Sequence, residues 1–243
     1  MLSERPKVED AITAVCGRQR FAIRRIPEDH AGGKWLLRYD SAMGQGGNLE
    51  LDLNYMFRVP LWPILPKNSH SIGSYSASQV LVLDEHELAA GKIAALLARH
   101  AARDLFDVHR ILRTGNLDMK KLRLGFVLYG AMNRVDWRTV SIADVGFEES
   151  ELKNQLIPVL RTESLDGLGD LKNWAGALVG ECQEALGELL PFSDPEVEFL
   201  NRLLDKGEIE ASLLTDDPDM TDRILQHPCL QWKALNVREF KEI

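Results

Sequence analysis

The segment Asn48–Arg58 reads NLELDLNYMFR, and its alternation decides how the front of the chain folds. Leu49, Leu51, Leu53, Tyr55 and Phe57 fall on one side, and Asn48, Glu50, Asp52, Asn54 and Arg58 on the other. Period-two alternation predicts a half-buried β-strand. Its polar side carries two carboxylates, Glu50 and Asp52, which repel each other unless something neutralises them. Acids at i and i+2 on a strand share a face and can ligate a hard cation such as Mg²⁺; a solvated strand face is the plain alternative.

Working outward from this strand, RFAIRRI (20–26) and KWLLRYD (34–40) read as two more strands, joined by a turn containing EDHAGG. KVEDAITAVC (7–16) spaces Val8, Ile12 and Val15 as on an amphipathic helix. Downstream, RVPLWPILP (58–66) has too many prolines for a central strand and is expected to run extended along the surface. The front is thus a helix with antiparallel strands.

At Asp84 the pattern changes. Asp84 can cap a helix and Glu87 sits in a capping-box position, ahead of LAAGKIAALLARHAARDLFDVHRIL. This run is one helix, or two bent around residues 99–102. Further helices are expected near 118–132, 149–156, 170–190, 194–206 and 217–226. The fold class is therefore α+β: a small, mainly antiparallel sheet in a domain over residues 1–83, then an all-helical region over 84–243.

The 243 residues carry a net charge of −8, which argues against a protein that coats nucleic acid. The charge is uneven: residues 90–138 hold ten Lys and Arg against four Asp. Such asymmetry suits an acidic protein that holds a phosphate-bearing ligand, and equally a solvated helix surface. On a continuous helix, at about 100° per residue, Arg99 and Arg103 fall about 20° to either side of Lys92, Arg110 returns to its azimuth, and Asp107 lies about 60° away. Bringing those cations together is costly without an anion; the alternative is a set of salt bridges, Arg103 with Asp107 at i+4 first among them. Cys16, Cys182 and Cys229 are too few and too scattered for a disulfide framework or a zinc site, and are expected to be small buried hydrophobes. No apolar run approaches the eighteen or so residues that span a bilayer, and residues 1–20 lack a signal peptide's apolar core, so a cytoplasmic location is expected. HELAA (86–90) lacks the second histidine of a zinc-protease helix, GQGG (44–47) precedes no helix, and no Ser or Cys sits in a nucleophile elbow.

The run ELAAGKIAALLARHAARDLFDVHRIL (87–112) resembles the central signature of the AbiEii/AbiGii-type nucleotidyltransferases, toxins of abortive-infection toxin–antitoxin pairs. Lys92, the pair Arg103–Asp104, and Asp107 carry that resemblance. HPCLQWKALNVR (227–238) is similar to the family's C-terminal motif, and LDLNYMFRVPLWP (51–63) to a segment of one branch, so the resemblance extends over essentially the whole chain. It implies a DNA polymerase β-like nucleotidyltransferase that uses an NTP with Mg²⁺ or Mn²⁺. Transfer of NMP to an acceptor such as the tRNA 3′ end, in phage defence, and a cognate antitoxin as partner are also implied. By order along the chain, Asp52 or Glu50 would be the third metal carboxylate. Lys92 and Asp104, with Asp52, would be catalytic, and Lys92, Arg99, Arg103 and Asp107 would bind nucleotide. Upstream of residue 48, however, no Gly-Gly or Gly-Ser turn leads into a D-x-D. The expectation is an N-terminally truncated member, active or surviving as a nucleotide- or RNA-binding remnant. A third reading makes the acidic back half, about 150–243, a docking surface for a basic partner. Trp232 and Leu235 are expected in the core, while Lys233 and Arg238 either touch substrate or cap the fold.

Overall fold

The computed structural model describes residues 4–28, 31–165 and 169–241. Asp29 and His30, within the turn expected between the first two strands, lie outside them. The chain forms two compact units, Met1–Arg58 and Val59–Ile243.

In the first unit, α1 (Arg5–Arg18) precedes β1 (Ala22–Arg25), β2 (Gly32–Asp40) and β3 (Gly46–Asn54). The strands form an antiparallel sheet in the order β1–β2–β3. Trp35 and Leu37 of β2 face Leu51 and Leu49 of β3. With Cys16, Trp35 and Leu37 build a small core, flanked by Ile12, Phe21, Ile23, Leu51 and Leu53. The alternation of β3 therefore sends its leucines toward α1 and its acids to the other face. Asn54 closes the strand by accepting from the Met56 N–H at 2.8 Å.

The second unit begins with β4 (Leu65–Lys67) and β5 (Val80–Val82), an antiparallel pair. The proline-rich segment before them departs from expectation. Leu61 is fully buried and Trp62 nearly so, in the core of the helical unit. Two large side chains between its prolines pack into the helices, while residues 63–66 stay exposed, so only part of it runs along the surface.

Helices α2 (Glu85–Arg99), α3 (Ala102–Thr114) and α4 (Met119–Ala131) follow. Asp84 caps α2 by accepting from the His86 N–H. The capping box is not completed, because the Glu87 carboxylate turns inward instead. His86 Nδ1 lies 2.6 Å from Asp84 Oδ1, and His86 Nε2 accepts the Asp118 N–H at 2.8 Å. Through these two contacts the His86 ring joins the starts of α2 and α4. At His100 the backbone enters the left-handed region (φ 54°), which ends α2 and separates it from α3.

Beyond a single turn, α5 (Glu149–Glu151), which runs into a π-helical turn, and the short α6 (Thr162–Leu165), come α7 (Leu171–Leu186), α8 (Asp194–Asn201), α9 (Pro218–Gln226) and α10 (Pro228–Lys241). Side chains from α2, α3, α4, α7, α8 and α9 share one core with Leu61 and Trp137. Arg123 of α4 clamps Glu196 of α8 through two bonds of 2.7 Å. In α10, Trp232 is 50% and Leu235 47% exposed, so neither is a core residue. Lys233 donates to the Asn133 carbonyl and Arg238 to the Gly207 carbonyl; both tie α10 to neighbouring backbone. All three cysteines are free thiols and buried.

Candidate functional site

Within the helical unit, α2, α3 and α4 border a cleft of about 700 Å³. From α2 come Glu87, Leu88, Gly91, Lys92, Ala95 and Arg99. These recur at the three- and four-residue spacing that marks one helical face. Asp107, Arg110, Ile111 and Thr114 enter from α3 and Tyr129 from α4. Gly91 makes room for the last: a Cβ there would lie 3.2 Å from Tyr129 Cε1.

Lys92 Nζ donates to Asp107 Oδ2 at 2.7 Å, both side chains a little under half exposed. Two residues fifteen apart in sequence thus meet across the break at His100. Arg99 grips Asp104 in a two-pronged pair, Nη2 to Oδ1 at 2.9 Å, and that bond holds the guanidinium's pKa above its ordinary range. Asp104 is buried and does not line the cleft; it fixes Arg99 from beneath. Arg103 is exposed, makes no ion pair among the described residues and does not line the cleft. The expected Arg103–Asp107 bridge is absent among the described ion pairs because Asp107 takes Lys92.

Arg110 is the cation that the cleft holds in reserve. It is exposed, its Cζ lies 5.9 Å from the centre of the Phe106 ring, and it makes no ion pair among the described residues. The cleft thus takes Arg110 from the helical stripe in place of the expected Arg103, and Glu87, expected as a capping-box residue, lines it with Tyr129, to which the sequence assigns no role. Glu87 is 2% exposed; it accepts from the Leu61 N–H and from the Tyr129 hydroxyl, each at 3.0 Å. Burial raises its pKa against the pull of these bonds, and burial likewise pushes up the Tyr129 phenol. No local signal marks its burial, since Glu87 closes the polar helix start DEHE (84–87) and its partners Leu61 and Tyr129 are far away in sequence.

Glu50 and Asp52 belong to the first unit. Glu50 Oε2 accepts from Lys34 Nζ of the neighbouring strand at 2.8 Å, which lowers the carboxyl pKa and raises that of the amine. Cross-strand pairing thus neutralises one of the two acids. Asp52 lies opposite Lys34 in the register and is exposed, with no ion pair among the described residues. Those residues contain no cluster of three or more His, Cys, Asp or Glu able to hold a metal ion. The three-carboxylate donor set implied for Mg²⁺ or Mn²⁺ is therefore not met by Glu50 and Asp52.

Three cations stand around the cleft against Asp107 and a Glu87 whose charge is disfavoured, over an apolar floor. Chemically, such a set can meet anionic oxygens, to which Arg offers a fork and Lys a compact charge. A family model described as nucleotidyl transferase AbiEii toxin, type IV toxin–antitoxin system, matches residues 1–177. The chain belongs to that family of nucleotidyl transferases. Lys92, Asp104 and Asp107 fall within the matched span, as do Glu50 and Asp52, whereas the motif at 227–238 lies beyond it. No curated protein and no solved structure matches the chain. Among the described residues, no helix is long and apolar enough to cross a membrane.

Proposed function

We propose that the cleft between α2 and α3 holds the triphosphate of an NTP, and that the chain transfers the NMP to an acceptor hydroxyl. The acceptor hydroxyl oxygen attacks the α-phosphorus in line and gives up its proton to solvent as the new P–O bond forms and the bond to the leaving pyrophosphate breaks. Lys92 and Arg110 carry the role assigned to cations in such transfers, stabilising the charge that grows on the leaving phosphates. Arg99, steadied by Asp104, extends the same electrostatic wall, and Asp107 keeps Lys92 directed into the cleft. By analogy with the family, the acceptor is the 3′ end of tRNA and the protein partner a cognate antitoxin. The observation that supports the reading is the convergence of Lys92, Arg99 and Arg110 on one cleft.

The test uses α-³²P-labelled NTPs with a tRNA pool and purified full chain. Label should enter RNA, and Lys92→Ala and Arg110→Ala should each lower transfer at least about tenfold, as expected when a charged hydrogen bond of about 1.5–3 kcal/mol is lost. Undiminished transfer by both variants would remove the cleft from the reaction. NTP retained but never transferred would assign the chain to nucleotide binding alone.

A further inference from the structure

A second recess of the helical unit adjoins the cleft. It has a volume of about 1060 Å³ and is lined by His70, Phe106, Arg110, Arg161, Thr162 and Glu163 among others. Arg110 lines both cavities, and the Phe106 ring beside its guanidinium belongs to the recess wall.

Packing sets the other groups in place. Leu160, like Phe106 and Trp174, packs against the small core of Ala102, Leu152, Leu156 and Ala175. That anchor leaves the next two residues, Arg161 and Thr162, exposed on the rim. His70 lies in the loop between β4 and β5. The Ser69 N–H there donates to the Ala77 carbonyl and the Ala77 N–H to Ser69 Oγ, each at 2.8 Å, so the loop has a bonded frame. His70, Arg110 and Arg161 make no ion pair among the described residues, and one carboxylate, Glu163, shares the lining with them. Two guanidinium groups without counter-ions around a polar hollow suit a phosphate-bearing chain.

Position narrows the ligand further. In-line attack brings the acceptor oxygen to the α-phosphorus from the side opposite the pyrophosphate, so the acceptor lies next to the cleft that holds the phosphates. A hydroxyl on a protein side chain brings no fixed anion with it. The 3′-hydroxyl of a polynucleotide stands one sugar away from a phosphodiester, and a single-stranded end leaves that backbone open to side chains.

We propose that the recess is the acceptor subsite, in which Arg161 and His70 hold the last phosphodiester of a single-stranded nucleic-acid end and direct its 3′-hydroxyl past Arg110 into the cleft. The assignment rests on the cleft being the nucleotide site, whereas binding to the recess is measured without nucleotide.

Fluorescence anisotropy of 5′-fluorescein-labelled pentauridylate against the full chain tests it. Saturable binding is expected, weakened at least about fivefold by Arg161→Ala and by His70→Ala, the scale of one charged hydrogen bond at an exposed site. Both side chains are exposed, so the far-ultraviolet spectrum should not change. Replacing the last phosphodiester by an uncharged methylphosphonate should cost as much as Arg161→Ala, and the two losses should not add, because they remove the same contact. The same replacement at the 5′ end should cost little. Tripolyphosphate, which reports on the cleft, should bind both variants as it binds wild type. No binding of the oligonucleotide, equal losses from methylphosphonate at either end, or additive losses would overturn the proposal and leave the nucleotide reading standing. So would an Arg161→Ala variant that binds tripolyphosphate more weakly and RNA equally well, since the recess would then belong to the nucleotide. Undiminished transfer by Lys92→Ala and Arg110→Ala would instead remove the nucleotide reading, and the acceptor role with it, even where RNA still fills the recess.

Discussion

Glu87 offers the sharpest quantitative test, because it couples the stability of the helical unit to the wall of the cleft. Its carboxylate is buried and accepts from Leu61 N–H and Tyr129 O–H. Replacing it with alanine removes the acceptor used by the buried Leu61 amide and by the Tyr129 hydroxyl, each lost bond worth about 1–3 kcal/mol. Glu87→Ala should therefore lose about 2–4 kcal/mol, allowing for partial rescue of the phenol by water. Glutamine behaves differently: its oxygen can accept the Leu61 N–H and its amide can donate to Tyr129, with no charge to bury. Burial raises the folded-state pKa above the ordinary 4.5, so above that pH the folded chain keeps a proton that the unfolded chain has released. The resulting stabilisation is complete below 4.5 and is lost as pH rises through the folded value, at up to about 1.4 kcal/mol per pH unit. Urea titrations followed at 222 nm, where the helices dominate, should show Glu87→Gln gaining on wild type as pH rises above 4.5. Parallel pH profiles for the two, or an alanine variant as stable as wild type, would refute the reasoning.

Three further outcomes are expected. Gly130→Ala would set a Cβ 1.8 Å from Trp137 Nε1 inside the core, and the overpacking should lower stability by about 3 kcal/mol, read by calorimetry. Arg123→Met should cost about 3 kcal/mol by leaving the buried Glu196 without its partner. Burial opposes ionisation of Glu196, but the Arg123 and Ser193 bonds outweigh it and depress the pKa, so this contribution is present above 4.5 and lost as pH falls; acid titrations of the variant should be flatter. Asp107→Asn releases Lys92 from its counter-ion, so metal-free tripolyphosphate should bind several-fold tighter by isothermal titration, on the order of 1 kcal/mol; weaker binding would show that Asp107 does not compete with the anion.

The front of the chain was open to reading because strand periodicity is local. The leucines of 48–58 mark one face whatever lies around them, and β2 and β3 follow from that pattern. Asp84 is equally legible, since a helix cap needs only the next residues. Glu87 shows the limit. Its spacing suits a capping box, but a buried amide at Leu61 and a phenol on α4 compete for the same carboxylate, and neither is near it in sequence.

The amino-acid sequence by itself determined the α+β class, the family, the cations and acids available to the site, and the order of most elements, though not the β4–β5 pair or α10. Tertiary structure decided how they pair. His100 breaks the helix, so the azimuths counted along one continuous helix do not carry from α2 into α3. That break brings Asp107 to Lys92, leaves Arg103 outside the cleft and places Arg110 inside it. Helical pattern depends on neighbours three and four residues away, whereas a charge finds its partner by distance in space, and fifteen residues of sequence separation carry no record of a 2.7 Å contact.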